Sequence, residues 1–463
     1  MSHHNNNGRS LLISVLLTVA SSASIGCFFI PAAYKNVGVL VGILVSLLVG
    51  AFSVSSMKIL ARASVKTGAE SYGALLYYAY SDEVNNSLLN KDGSSKTMFT
   101  LPRVFDIFVF LDCLFCVPIF ILILSNLLTQ ILPFISSYNN YLFMFGSKTG
   151  MISITCLVLL PICIPIKYFN WIGIAFVTMF SILFCFYIIL NNLYGFISKN
   201  TIDLLINRII FYPEKEYTLK SIFNYISLFN ICIFTFFSQF NIIPAASKLY
   251  NPSNFRIRLL TAFTGIILVF SYSFISIISY VLYGDATKEF ILDNFSFVSH
   301  ISLIARILVA LSMFLLLPLH IYPMVDALTN VIDNNYIEQI NKSNISESSL
   351  PLINKKEGNK CNVKKISFIR TKSGRILLLS VILILSYLIS IYFRENPSYL
   401  IVMAAGFIDS IFVFLFPTLI HYRLVKSEDE RFTSSPLRMA LLLLFLISIS
   451  GSINCLLNVL NFY

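Results

Sequence analysis

Apolar residues run along this chain in stretches of about 20, the length that carries a helix across a hydrocarbon core. Eleven such stretches are predicted, at residues 11–33, 37–60, 104–132, 150–166, 169–194, 220–247, 257–283, 298–327, 375–393, 397–421 and 436–460. Only residues 166–170 separate the fourth from the fifth, with Pro161, Pro165 and Lys167 marking the turn of a helical hairpin. Polar sequence frames the rest. A tail covers 1–10, helices one to eight fill 11–328, a loop rich in Asn, Ser and Lys covers 329–374, and helices nine to eleven fill 375–463. The first apolar run is long, contains Pro31 and has no clear cleavage site, so it reads as a span and not as a removable signal peptide.

Composition narrows the class. Of the 463 residues, 57% are hydrophobic and 12% charged, against about 25% charged in an ordinary soluble domain. So little charge cannot clothe a soluble surface of this size, which excludes a cytosolic enzyme, a disordered chain and a disulfide scaffold. A polytopic, all-α integral membrane protein remains. The net charge of +11 is topological. With the N-terminus inside, 24 of the 33 basic residues fall on inner segments and 8 on outer ones, as expected for a cytoplasmic N-terminus and an outer C-terminus. Nothing in this pattern suggests nucleic acid. The 329–374 loop is expected to be disordered and cytoplasmic, its basic part from Lys355 to Lys372 either solvated or touching anionic lipid. Asn294 begins the one glycosylation sequon expected on an outer loop. No disulfide framework is expected from the nine cysteines, and Cys113 and Cys116 read as two small core residues on one helix face.

No enzyme constellation appears. The five histidines show no ligand spacing within a span, and H-E-x-x-H, G-x-S-x-G and P-loop motifs are absent. No metal and no cofactor are expected. His320, between Pro318 and Pro323, is either a satisfied helix-end histidine or a proton carrier.

Two spans look broken. In the first, Ser21, Ser22, Ser24 and Gly26 cluster shortly before Pro31. In the sixth, Thr235, Ser238, Gln239 and Asn241 interrupt the apolar run before Pro244. Backbone groups freed at the midplane find no partner in lipid. Such a break either lines a substrate cavity or packs helices through small residues. A pair of breaks in spans one and six is the pattern of two inverted five-helix halves, which favours the cavity.

At this point the chain resembles a known family. The segments SIGCFFIPAAYKNVG and TGAESY around spans one and two, the Phe-rich break before Pro244, the Arg306–Pro318–Pro323 spacing of span eight, and Gly406, Ser410 and Pro417 of span ten occur in the right order. Together they resemble the amino acid/auxin permease family of the amino acid–polyamine–organocation superfamily, and its neutral amino acid transporters. The resemblance implies a leucine-transporter-like five-plus-five inverted repeat with an eleventh helix, and secondary transport of amino acids by alternating access. It also brings departures. Ser24 stands where the family has the first glycine of G-x-G, and Gln239 where a histidine is common. Ala20, Phe314 and Leu316 stand where sodium-coupled members have oxygen-bearing side chains. A hard cation wants oxygen ligands, so proton-coupled or facilitative transport is expected and sodium coupling is not.

Resemblance and half-helix dipoles place the substrate carboxylate near the backbone N–H groups of Ser24, Ile25 and Gly26, beside Ser21 and Ser22. Its amino group meets carbonyls around Phe234, Thr235 and Phe236, next to Ser238, with Phe236 and Phe237 as an aromatic lid. Charges within the spans are few and functional by default. Asp112, Arg306 and Asp409 are therefore the coupling or gating candidates, the carboxyls either carrying a proton or pairing structurally, with Arg306 a candidate partner. The expected partners are an amino acid, protons and the lipid bilayer, in a plasma membrane or an acidic vacuole- or lysosome-like organelle. The alternative is an amino acid sensor acting through a cytoplasmic partner, or a channel. The sequence leaves oligomeric state, substrate and direction open.

Overall fold

The computed structural model describes residues 8–22, 25–89, 101–136, 147–164, 171–198, 210–211, 219–297, 299–332, 371–425 and 435–461. Ser24, Cys361 and most of the 329–374 loop lie outside these. The helices are α1 (Leu11–Ser21), α2 (Ile30–Val37), α3 (Val39–Thr67), α4 (Tyr72–Leu89), α5 (Leu101–Ser136), α6 (Lys148–Cys163), α7 (Trp171–Ile197), α8 (Leu219–Thr235), α9 (Gln239–Ser247), α10 (Asn254–Tyr283), α11 (His300–Ile332), α12 (Lys372–Tyr392), α13 (Pro397–Leu424) and α14 (Ser435–Asn461). Among the described residues there is no strand. Arg9 and Leu249 form an isolated bridge that ties the N-terminal segment to the end of α9.

All eleven predicted stretches fall on helix. Among the described residues, nine helices are long and apolar enough to cross a membrane, and the pair α1–α2, bent by 58°, makes a tenth if it is one span. The fourth stretch differs: α6 has 16 residues, about 24 Å at 1.5 Å per residue, short of a ~30 Å core.

The bundle is inverted relative to a soluble protein. Leu44, Phe180, Leu183, Phe270 and Leu446 face outward, while Asn230, Gln239, Arg306 and Asp409 are buried. Lipid solvates the former, and protein partners must satisfy the latter. Helices approach closely through small residues. A Cβ on Gly265 would lie 2.0 Å from Val54 Cγ2 and one on Gly50 2.3 Å from Val269 Cγ2, so α3 and α10 nearly touch. At Gly406 a Cβ would sit 1.8 Å from Ser452 Oγ, where α8, α13 and α14 meet. Asn230 Nδ2 there donates to the carbonyls of Val402 and Ser448, at 3.3 and 3.1 Å.

The TGAESY segment is a chain reversal. Gly68, at φ +74°, ends α3 in the left-handed conformation that a side chain resists. Ser64 Oγ bonds the Ala69 carbonyl at 2.7 Å and fixes the turn. The result points Tyr72 back into the bundle, where its hydroxyl donates to the Phe412 carbonyl at 2.9 Å. That carbonyl belongs to one of three π-helical turns along α13, at Ala405–Asp409, Ile411–Leu415 and, reaching one residue past its end, His421–Val425. Such turns free backbone groups and concentrate at functional sites.

Candidate functional site

The two predicted breaks exist and abut. α1 stops at Ser21, a short 3₁₀ turn follows at Ile25–Phe28, and α2 begins at Ile30 with Pro31 in its first turn. α8 stops at Thr235 and α9 starts at Gln239. A Cβ on Gly26 would lie 2.5 Å from Thr235 Oγ1 and 2.9 Å from Phe234 Cδ1. Glycine at 26 is what lets one broken backbone lie on the other.

Side chains that sequence reasoning underweighted staple the breaks together. Asn241 Nδ2 donates to the Ser21 carbonyl at 3.0 Å and to Ser22 Oγ at 3.3 Å. The Tyr272 hydroxyl donates to the Ser22 carbonyl at 3.2 Å. In the other break, Gln239 Oε1 accepts from the Ser238 N–H at 2.9 Å, and its Nε2 donates to Ser53 Oγ at 3.2 Å. Ser53 Oγ then donates to the Phe236 carbonyl at 3.1 Å. Tyr272 and Ser53 carried no signal in sequence, since a serine or tyrosine in an apolar span is ordinary. The Phe236 carbonyl, expected to face a substrate amino group, is engaged by Ser53 in this conformation, and Ser238 Oγ also donates to it at 3.4 Å. Thr235 Oγ1 donates to the Ile231 carbonyl. Ser22, Phe234, Thr235, Phe236 and Ser238 are all buried, whereas Ser21 is exposed.

Aromatic layers close the breaks on both sides. Toward the Arg9 end, Tyr72, Phe105, Phe240, Phe412 and Phe416 pack with ring centroids 5.0–6.2 Å apart. Phe237 joins this layer through Phe240 and Phe412, while Phe236 instead stacks on Tyr272. The expected two-residue lid is thus split between two faces. Toward the opposite end, Phe28 and Phe29 meet Phe290 at 5.9 and 5.4 Å. Beyond Phe29 and Phe290 lies a cavity of about 240 Å³, with Lys148, Glu289, Asp293, Arg394 and Glu395 on its walls. Burial raises the Glu289 carboxyl above its usual range, opposed by hydrogen bonds from Ser398.

Arg306 anchors the loop that carries Phe290. It is fully buried, and its guanidinium donates to Gln130 Oε1 at 2.7 Å and to the carbonyls of Leu292 and Phe295 at 3.2 and 2.8 Å. Gln130 and Asn126 in turn hold Asp293. The expected pairing of Arg306 with Asp112 or Asp409 does not occur, because Arg306 bonds Gln130, about 27 Å along α5 from Asp112 at 1.5 Å per residue, and its other donors are filled by the loop. The two carboxylates instead face each other. One oxygen of each carboxylate and Cys116 Sγ all lie within 4.8 Å of one another, which gives Cys116 a polar neighbourhood that its apolar flanks concealed. His320 is a satisfied histidine, with Nδ1 on the Leu316 carbonyl at 3.1 Å and its ring against Phe120.

Two abutting broken helices between aromatic layers, in a multi-pass bundle, define a membrane transporter fold. The backbone superposes on MhsT in complex with L-phenylalanine at TM-score 0.53, with 12% identity over 98% of this chain and 99% of that one. It superposes on Mhp1, a nucleobase-cation-symport-1 family transporter with bromovinylhydantoin bound, at TM-score 0.52, with 11% identity over 99% and 92%. The chain belongs to the family described as transmembrane amino acid transporter protein, the amino acid/auxin permease family, which matches residues 7–459. AAT1 of Plasmodium berghei (strain Anka), described as a candidate amino acid transporter, is 24% identical over 326 residues, 69% of this chain and 48% of that protein. AAT1 of Toxoplasma gondii (strain ATCC 50611 / Me49) is 25% identical over 109 residues, 24% of this chain and 15% of that protein. This chain spans at most about half the length of these relatives.

Proposed function

We propose that this chain carries amino acids across a membrane by alternating access, binding them where the two broken spans meet. The supporting observation is the approach of Gly26 to Thr235 between the two aromatic layers. A carrier needs a midplane site that opens to one side at a time, and a layer of rings on each side of the breaks supplies two separable gates. The substrate carboxylate meets the N-terminal start of the second half of span one at Ser24, Ile25 and Gly26. The ammonium meets the end of α8 around Phe234 to Phe236, where the helix dipole is negative. Admitting it requires the Ser53 bond to the Phe236 carbonyl to release. The N-terminus is cytoplasmic, so the Tyr72 layer is the inner gate and the Phe290 layer the outer one. Arg306 acts in gating, by holding the Phe290 loop.

Coupling is to protons through Asp112 or Asp409. Ala20, Phe314 and Leu316 give sodium no side-chain oxygen. A radiolabelled amino acid uptake panel in proteoliposomes tests the reading. Uptake of at least one amino acid is expected, unchanged when choline replaces sodium and larger with an acidic outside. Uptake that collapses without sodium would refute the coupling assignment, and no uptake across the panel would refute the substrate class.

A further inference from the structure

Asp112 on α5 and Asp409 on α13 form a cluster whose arrangement has a direct chemical consequence. Both are buried, Asp409 at 1% exposure. With neither carboxyl protonated, Asp112 Oδ1 and both Asp409 oxygens have no hydrogen-bond partner. No lysine or arginine among the described residues forms an ion pair with either. Among the described residues, the titratable groups facing them are the thiols of Cys113 and Cys116 on α5 itself. Asp106 lies six residues earlier on α5. From α11, His320 approaches one turn beyond Cys116, against Phe120, with Nδ1 on the Leu316 carbonyl. α8 and α14 reach the same π-helical turn of α13 through the neutral Asn230, Ser448 and Ser452. Two carboxylates this close in a low-dielectric interior cannot both stay ionised. One proton between them turns one into a donor and the other into its acceptor, and removes the repulsion.

Position gives the pair a mechanical consequence. Asp409 closes the Ala405–Asp409 π turn. Phe412, three residues on, is at the centre of the Tyr72 aromatic layer, contacting Phe105 of α5, Phe240 of α9, Tyr72 and Phe416. Whatever holds Asp409 to α5 also holds Phe412 and Phe416 against Phe105.

We propose that Asp112 and Asp409 hold a single proton between them, and that this shared proton latches α13 against α5 and keeps the Tyr72 aromatic layer shut. Loading adds one proton from water to a pair of carboxylates and leaves one acid and one carboxylate. Release returns that proton to water and leaves two like charges, which part α13 from α5 and open the layer. The assignment builds on the transport reading for its purpose, but not for its chemistry.

Hydrogen–deuterium exchange of the full chain in lipid nanodiscs tests it, at about pH 5 and about pH 8, on either side of the range in which a buried carboxyl pair shares a proton, with rates corrected for the intrinsic pH dependence of exchange so that they report local opening. Peptides covering residues 405–416 are expected to be protected at the lower pH and to exchange at least tenfold faster at the higher. The double variant Asp112→Asn, Asp409→Asn, whose amides bond each other without a proton, is expected to be protected equally at both, as is Asp409→Asn alone. Equal protection of the wild type at both values overturns the latch, as does a pH dependence that survives in the double variant. Metal analysis of the same preparation supplies the other arm. A stoichiometric divalent ion that is lost on Cys116→Ala or Asp409→Asn would replace the proton as occupant and overturn the proposal. None of these readouts needs flux. A chain that shows the exchange pattern but moves no amino acid refutes the transport reading and leaves the shared proton standing.

Discussion

Replacing Gly26 with alanine lowers uptake sharply while the chain still folds and inserts. The added Cβ meets Thr235 Oγ1 at 2.5 Å, Phe234 Cδ1 at 2.9 Å and the Thr235 backbone at 3.1 Å. The hydroxyl and ring can shift, but the backbone cannot, so the two breaks must separate. Overpacking of this kind costs about 1–3 kcal/mol. Placed on the conformational step that carries substrate, that is a roughly 5- to 150-fold slower rate. Gly26→Val is expected to abolish uptake. Thr235→Ala removes the nearest clash and is expected to restore part of the Gly26→Ala loss, since the clash with the residue 235 backbone remains. Initial uptake rates of the two single variants and the double, normalised to purified protein, check this. Independent, additive losses would mean that the breaks do not act on each other.

Arg306→Met is expected to be the most destabilising single change in the outer half of the bundle. The guanidinium reaches Gln130 and the buried carbonyls of Leu292 and Phe295 at once. A thioether leaves those acceptors dry and unpaired, at roughly 1–3 kcal/mol each. It also releases Gln130, which helps hold Asp293. Arg306→Lys does not rescue, because an ammonium cannot present the planar fork that spans these acceptors. Thermal unfolding followed by size-exclusion chromatography is the check, with a clearly lower midpoint for both variants than for wild type. A midpoint like the wild type's would mean that Arg306 does not anchor the loop, and would contradict gating through that anchor.

The membrane class, the eleven helical stretches and the two breaks were legible because each has a local cause. Length and apolarity set a span, and Ser, Gly and Pro weaken a helix where they cluster. What joins the breaks was not legible. Nothing near Gly26 names Thr235, and nothing near Phe236 names Ser53, because sequence periodicity gives the faces of a helix and not their partners. The same holds for the charges. Asp112, Arg306 and Asp409 stood out as costly residues in apolar runs, but the sequence offered Arg306 as a mate for the carboxyls. The fold sends Arg306 to its own outer loop and brings the two carboxyls together with Cys116. Tyr72 shows the intermediate case. Its motif was visible as a family-like turn, but its reach to the Phe412 carbonyl depends on a π turn in α13 that no local residue pattern announces.

The central claim is that the paired breaks form a carrier's binding site. Counterflow tests it most directly, with purified chain in liposomes preloaded with an unlabelled amino acid and labelled amino acid added outside. The account predicts a transient accumulation of label above equilibrium, lost in Gly26→Val and retained when sodium is absent. Saturable binding without flux, or flux that internal amino acid does not stimulate, would contradict it and point to a sensor or a channel.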